Sequence, residues 1–244
     1  MEIAGITAET DFTDDGEIIK DENGQPTGIF SERAASLIEN FVPKTTPAKH
    51  EKALELAIRT CLEQGITSFQ DAGSGKVDIA QYKKFKEEGR LDINLWSMLH
   101  GRDSVLLDER YEQGPMIDEE GHLTVRAIKL YADGALGSRG AWLLDAYADR
   151  KDHFGNKVMP MEYISKVSTD GLAHGFQVCT HAIGDRANQE VLNIYEETFT
   201  EANKVDTDHR FRIEHAQHLD LSDIPRFSEL GVIASMQGIH MSSD

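Results

Sequence analysis

Two histidines occupy similar places in the sequence, each at the end of a short apolar segment. His181 lies in the run T-H-A-I-G-D at 180–185, and His215 lies in the run R-I-E-H-A-Q at 212–217. Imidazoles at the ends of consecutive strands come close enough to hold a divalent metal ion, for which zinc–nitrogen bonds of about 2.0–2.1 Å are typical. Each histidine alone is more typical of a hydrogen-bonded structural residue, whereas for the pair a metal site is as good an interpretation as a structural one.

A lysine in an apolar segment is the third candidate. Lys129 lies in the run V-R-A-I-K-L-Y-A-D-G at 125–134, where an ammonium is costly to desolvate and would repel a metal ion. Four explanations remain open at this point. The lysine could extend to the surface, pair with Asp133, form Schiff bases as in aldolase-type barrels, or be carboxylated to an anionic carbamate that bridges two metal ions.

The elements around these residues alternate between helices and strands. The clearest unit starts at the N-cap Thr46 with Pro47 behind it and ends at Gly65, as capping preferences predict. Strands are predicted at 66–69, 93–99, 125–131, 176–180, 211–214 and 232–236, with helices near 46–65, 79–89, 161–174, 185–200 and 222–230. Such alternation predicts a parallel sheet covered by crossover helices.

The positions of the polar residues favour a barrel over an open sheet. The sequence contains neither a G-x-G-x-x-G run nor a P-loop, whereas candidate residues follow several different strands, as on the catalytic face of a (β/α)8 barrel. About six strands are predicted where closure needs eight. We therefore predict an incomplete TIM-barrel-like domain at 46–244, with a hairpin or covering insertion at 1–45 and long covering loops at 101–122 and 132–157.

Bulk properties exclude several classes of protein. The formal charge is −18 and Lys and Arg are not clustered, so we expect no nucleic-acid partner. The two cysteines, Cys61 and Cys179, lie far apart in apolar segments and are expected in the core rather than in a zinc ribbon. No apolar run is long enough to span a bilayer. We expect a cytoplasmic chain that makes no membrane contact, and leave open an export signal in any preceding segment.

Four segments together resemble the family 3 amidohydrolases of the amidohydrolase superfamily, which include the N-substituted formamide deformylases. They are K-L-Y-A-D-G-A-L-G-S-R-G-A at 129–141, T-H-A-I-G-D-R-A at 180–187, R-I-E-H-A-Q at 212–217 and G-V-I-A-S-M-Q-G-I-H at 231–240. The resemblance implies a distorted (β/α)8 barrel, approximately strands 2–7 of it, that hydrolyses amide-like C–N bonds of a small molecule with metal-activated water. It implies one or two divalent ions, with zinc the expected metal.

The resemblance also assigns roles to individual residues. Lys129, His181 and His215 would be metal ligands, with Lys129 carboxylated. The family's H-x-H pair and its general-base aspartate at the eighth strand have no counterpart in this sequence, and Asp244 follows the seventh strand too closely for that role. We therefore expect an internal fragment with little activity alone. Its exposed sheet edges would favour self-association.

Five further residues are candidates for orienting ligands or contacting substrate: Asp133, Arg139, Asp185, Glu214 and His240. Helix capping or solvation explains the acidic residues among them equally well. The histidines without a motif are expected to be ordinary surface or packing residues: His100, His122, His153, His174, His209 and His218. A Schiff-base lyase using Lys129 and a non-catalytic barrel protein remain the alternative functions.

Overall fold

Six parallel strands form the main sheet of this chain, whose computed structural model describes residues 1–12 and 16–243. They are β3 Ser68–Ser74, β4 Asn94–His100, β6 Leu123–Tyr131, β7 Gln177–Ala182, β8 Arg212–His215 and β9 Ile233–Ser235. Their order in the sheet is β3-β4-β6-β7-β8-β9, and strands that are adjacent in this order are hydrogen-bonded to each other. A two-residue strand, β5 Met116–Ile117, pairs antiparallel with β6. The predicted parallel sheet is confirmed.

Helices connect these strands and cover one face of the sheet. They are α2 Pro47–Glu63, α3 Lys76–Glu87, α4 Ser104–Gln113, α5 Met161–Ala173, α6 Asp185–Glu201 and α7 Ile224–Glu229, with short α1 Ser36–Glu39 and α8 His240–Ser243. The helix-facing side chains of the strands, such as Ile128, Val178 and Ile213, are completely buried in one large apolar core. Burial of this face fixes the register of the strands, because a one-residue slip would expose every one of these side chains.

The other face of the sheet is concave and partly polar. Arg212 on β8 donates from Nη2 to Oε1 of Gln70 on β3 at 2.6 Å. Four inter-strand steps separate these two strands in the sheet order, which would place them about 19 Å apart in a flat sheet. Two side chains meet across that span only because the sheet curls. The structure is therefore a curled α/β half-barrel, which confirms the predicted incomplete barrel.

The N-terminal segment contains the expected hairpin. Strands β1 Gly16–Lys20 and β2 Pro26–Glu32 pair antiparallel, and Asp21 accepts hydrogen bonds from the backbone of Asn23 and Gln25 in the turn. The division of the chain into a covering segment at 1–45 and a barrel at 46–244 stays a prediction.

Two predictions about local structure were wrong. The segment 101–122, expected as a long loop, contains α4, because Asp103 caps it through the Leu106 N–H at 3.0 Å and Leu106 and Leu107 bury one face. The strand predicted at 66–69 instead runs from Ser68 to Ser74, since pairing with β4 continues to its end. Among the described residues, no helix combines the length and the apolarity that a bilayer crossing requires.

Candidate metal centre

The two predicted histidine ligands meet at the carboxyl ends of neighbouring strands. His181 is the fifth residue of β7 and His215 is the last residue of β8. Their ring centroids are 4.6 Å apart and the ring planes stand at 74° to one another. Two imidazoles at this separation can offer nitrogen atoms to one cation.

His215 reaches this position through an unusual backbone conformation. Glu214 is in register with His181 and bonds to Arg212 on the concave face, so a regular strand would turn His215 toward the helices. Instead His215 has φ 75° and Ala216 has φ 43°. Left-handed conformations of non-glycine residues cost about 1–3 kcal/mol each and are concentrated at functional sites. These left-handed residues interrupt the alternation of side chains between the two faces of the sheet. As a result, the imidazole of His215 lies next to that of His181.

One ring nitrogen of His215 is committed to a hydrogen bond. Nδ1 lies 2.9 Å from Oε1 of Gln237, in the turn after β9. Because an amide oxygen only accepts, Nδ1 carries the proton and Nε2 keeps a free lone pair. Burial, followed by the nearby His181 and Lys129, lowers the pKa of His215, while the Gln237 bond opposes this. The ring is therefore held neutral, as a metal ligand must be.

His181 has a buried nitrogen atom with no hydrogen-bond partner. Its Nε2 is completely buried and unsatisfied, although Oδ1 of Asp133 lies 3.3 Å away. That carboxylate already accepts backbone N–H groups from Trp142, Ile183 and Gly184 at 2.8–3.0 Å. A buried nitrogen without a partner costs about 1–3 kcal/mol, and a bound cation would satisfy it. This atom therefore fits a metal ligand.

Lys129 lies on the same concave face, one strand away from His181. It is 4% exposed, and Nζ donates to the carbonyl oxygen of Leu130 at 3.2 Å. Burial lowers the pKa of Lys129 to about 8, while the Glu214 carboxylate opposes the shift. About a tenth of the lysine is thus a neutral amine at pH 7, and this is the form that reacts with carbon dioxide or a carbonyl group.

The candidate centre has fewer His, Cys, Asp and Glu ligands than a typical zinc site. Within residues 1–12 and 16–243, no cluster of three or more His, Cys, Asp or Glu side chains could hold a metal ion. Two imidazoles and one carboxylated lysine would supply two nitrogen atoms and an oxygen donor. The residues present therefore fit a metal when Lys129 is a carbamate. Asp244 lies outside the described residues.

The remaining candidates have well-defined contacts. Glu214 accepts from Arg212 Nε at 2.6 Å, and the His240 ring lies 6.3 Å from that of His215. Asp185 begins α6 and accepts from Leu144 N at 2.8 Å, while Arg139 pairs with Asp149 at 2.7 Å. The contacts of Asp185 and Arg139 shape the loop at 132–157. Roles of these two residues in substrate contact stay predictions.

Comparison with known proteins places the chain in a family. The model of the amidohydrolase family matches residues 1–244. The chain belongs to the amidohydrolase family. Its curated relatives include Protein LONG AFTER FAR-RED 3 of Arabidopsis thaliana, 31% identical over all of this chain and 43% of that protein. The amidohydrolase YtcJ of Bacillus subtilis (strain 168) is 31% identical, over all of this chain and 45% of that protein.

Two further comparisons support the same assignment. The N-substituted formamide deformylase of Arthrobacter pascens is 25% identical over 95% of this chain and 43% of that protein. A crystal structure of an uncharacterized metal-dependent hydrolase from Pyrococcus furiosus superposes with a TM-score of 0.74 and 29% identity, covering 98% of this chain and 47% of the other. The amidohydrolase chain thus spans less than half the length of these relatives and is similar to hydrolases that use a metal.

Three residues near the centre of this amidohydrolase were not among the sequence candidates. Gln237 holds His215, Tyr131 packs its ring 4.4 Å from Nζ of Lys129, and His100 ends β4 in register with Lys129. Two of them had a signal in the sequence, because His100 and Tyr131 stand at the ends of predicted strands. We expected an ordinary role for His100 and assigned none to Tyr131. Nothing in the sequence pairs Gln237 with a residue 22 positions away.

Removing the amide of Gln237 should weaken metal binding. With Gln237→Leu, Nδ1 of His215 loses its acceptor, and the ring loses both its fixed tautomer and its orientation. Loss of such a supporting contact typically costs about 10–100-fold in metal affinity. Zinc titration should show this decrease, whereas Gln189→Leu, a distant glutamine that donates to Asp223 at 3.4 Å, should leave affinity unchanged. Equal affinities for the two variants would contradict the assigned contact.

Proposed function

We propose that these residues belong to a metal-dependent hydrolase of amide-like C–N bonds, with N-substituted formamides as the leading substrate class. The observation that supports it best is the convergence of two imidazoles and a buried lysine of lowered pKa at the carboxyl ends of neighbouring strands. Family membership and a metal-dependent hydrolase of similar structure support the reaction class. The formamide deformylase among the relatives supports the type of bond.

Each residue would have a distinct part in this reaction. A divalent ion, with zinc the favoured metal, would activate water and polarise the substrate carbonyl. His181 and His215 would supply nitrogen ligands, and the carbamate of Lys129 an oxygen ligand. Gln237 would keep His215 in the tautomer with a free Nε2. Asp133 would hold the turn at Ile183 that follows β7, and with it the position of His181.

Activity is proposed for a protein of the relatives' length that contains this chain. The described residues offer two imidazoles and a lysine, but no group of three or more His, Cys, Asp or Glu side chains that could hold a metal ion. Two nitrogen ligands and a labile carbamate bind zinc less tightly than the three or four protein ligands of typical sites. The 244-residue chain alone is therefore expected to bind metal weakly and to turn over little substrate.

The decisive experiment compares the rates at which a protein of the relatives' length, containing this chain, hydrolyses different substrates. The protein is loaded with zinc, and hydrolysis of an N-substituted formamide, the matched acetamide and the matched formate ester is followed by release of amine or acid. We expect faster cleavage of the formamide than of the ester relative to their uncatalysed rates, and loss of activity with a chelator. Chelator-resistant activity, or cleavage of the ester alone, would overturn the proposal.

Carboxylation of Lys129 should depend on pH in a predictable direction. Only the neutral amine attacks carbon dioxide, forming the N–C bond of the carbamate and releasing one proton. A pKa of about 8 makes the neutral fraction small at pH 6 and about half at pH 8, whereas an ordinary lysine near 10.4 stays charged at both. With ¹³C-labelled carbon dioxide at constant pressure, the metal-free chain should show a carbamate NMR signal at pH 8 that weakens at pH 6.

The control for this signal is the variant Lys129→Ala. It should lack the carbamate resonance at pH 8, while Lys166→Ala, which removes a surface lysine paired with Asp170, should retain it. A resonance of equal intensity in Lys129→Ala would show that another amine reacts, and would remove the support that the lowered pKa gives to a carbamate ligand.

The same lowered pKa also suits a Schiff-base lysine, which is the second candidate function. Treatment with borohydride in the presence of a small carbonyl compound discriminates the two. Trapping of the carbonyl compound on Lys129 favours the lyase, whereas chelator-sensitive hydrolysis favours the hydrolase.

A further inference from the structure

Tyr131 forms a wall of the candidate metal centre. It is the last residue of β6, two positions after Lys129 and in register with His181 on β7. Its ring centroid is 4.4 Å from Nζ of Lys129 and 6.0 Å from the centroid of the His181 ring. The ring therefore lies beside both of these candidate ligands.

The hydroxyl group of Tyr131 is weakly bound within the protein. The hydroxyl donates a hydrogen bond to the carbonyl oxygen of Ala72 at 3.5 Å. This distance is well beyond the usual value of about 2.7–2.8 Å for such a bond. By contrast, the hydroxyl of Tyr163 donates to the carbonyl oxygen of Gly101 at 2.7 Å. Tyr131 is only partly buried, so its hydroxyl is accessible to a better acceptor.

A glycine lies beside the hydroxyl of Tyr131. The phenol extends from β6 to the end of β3, where a Cβ atom on Gly73 would lie 3.5 Å from the hydroxyl and 3.7 Å from Cδ2 of His100. Gly73 has no side chain there and a φ of 129°, which side-chain-bearing residues rarely adopt. The hydroxyl therefore has no side chain against it from position 73, and the ring that carries it is only partly buried.

We propose that Tyr131 is a catalytic residue whose hydroxyl donates a hydrogen bond to the carbonyl oxygen of an amide substrate as negative charge develops on it. A phenol O–H is a hydrogen-bond donor, and the long contact to Ala72 leaves this one free to turn to a better acceptor. This inference rests on the proposed hydrolase function and names one group that would stabilise the tetrahedral species. A purely structural role needs only the ring, which phenylalanine also provides.

The test compares two tyrosine-to-phenylalanine variants in the zinc-loaded protein of the relatives' length. Tyr131→Phe keeps the ring against Lys129 and removes the donor. Loss of one donor to a developing oxyanion typically costs about 10²–10³-fold in kcat. We expect a decrease of about 10²-fold in kcat, with KM and zinc affinity unchanged. Tyr163→Phe, which loses an internal hydrogen bond, should keep the kcat of the unmodified protein.

The outcomes separate this inference from the proposed function. A Tyr131→Phe protein that folds, binds zinc normally and hydrolyses the formamide at the unmodified rate would overturn the role of Tyr131 and leave the hydrolase intact. A decrease in zinc affinity matching the decrease in kcat would overturn it too, because the ring would then only support the metal site. If the unmodified protein hydrolyses no amide, the proposed function is wrong and this role falls with it.

Discussion

Replacing Lys129 with alanine, in a protein of the relatives' length that contains this chain, is expected to lower kcat/KM by about 10³-fold or more. A metal centre stabilises the charge of the transition state by several kcal/mol, and about 4 kcal/mol corresponds to three orders of magnitude in rate. In the proposed centre a carbamate on Lys129 would be an anionic ligand, so its loss should empty or distort the centre. Steady-state kinetics together with the zinc content of the purified variant measure the effect.

Rescue of Lys129→Ala by small molecules distinguishes a carbamate ligand from a reactive amine. If Lys129 acts as a carboxylate-like ligand, added acetate or propionate should partly restore the activity of Lys129→Ala, because alanine leaves space for a small carboxylate. Methylamine should restore less. The surface variant Lys166→Ala should keep full activity. Rescue by methylamine and not by acetate would indicate that the amine itself reacts, as a Schiff-base enzyme requires.

Replacing Asp133 with alanine is expected to destabilise the fold by about 3–5 kcal/mol, the cost of removing one partner from a buried charged contact. Its side chain is completely buried, and it accepts three backbone N–H groups, from Trp142, Ile183 and Gly184. Each buried N–H left without a partner costs about 1–3 kcal/mol. These bonds join the loop at 132–157 to the turn after β7, so the position of His181 depends on them.

Urea denaturation of the 244-residue chain measures the decrease in the free energy of unfolding that Asp133→Ala causes. Asp133→Asn should also destabilise the fold, because the amide offers one oxygen acceptor and turns a donor toward N–H groups. The matched control is Asp149→Ala, which removes an exposed carboxylate paired with Arg139 and should cost at most about 1 kcal/mol. A free energy of unfolding for Asp133→Ala equal to that of Asp149→Ala would contradict the role assigned to these bonds.

The elements of the fold were predictable where local patterns decide them. Helix α2 begins at Pro47 behind its cap Thr46, as the sequence predicts, and β6 to β9 lie close to their expected positions. The missed helix α4 had a visible cap at Asp103, obscured by the acidic residues around it. The ends of β3 and β7 were placed too early, because strand ends are set by pairing with neighbours such as β4 and β8.

The candidate site was predictable as a set of ligand types and not as a geometry. His181 and His215 were identifiable because the sequence places them at strand ends. The left-handed backbone that turns His215 toward His181 depends on packing around β8, and no residue type in the sequence requires it. The same applies to Gln237, whose contact with His215 forms only when β8 and β9 pair.

The central claim is that Lys129, His181 and His215 share one cation. Anomalous diffraction at the zinc edge tests it most directly. The crystals would contain the zinc-loaded protein of the relatives' length. We expect an anomalous peak about 2.0–2.1 Å from a ring nitrogen of each histidine, with a carbamate oxygen of Lys129 also bound. Zinc bound elsewhere, with the two imidazoles turned away from it and Lys129 a free amine, would contradict the account.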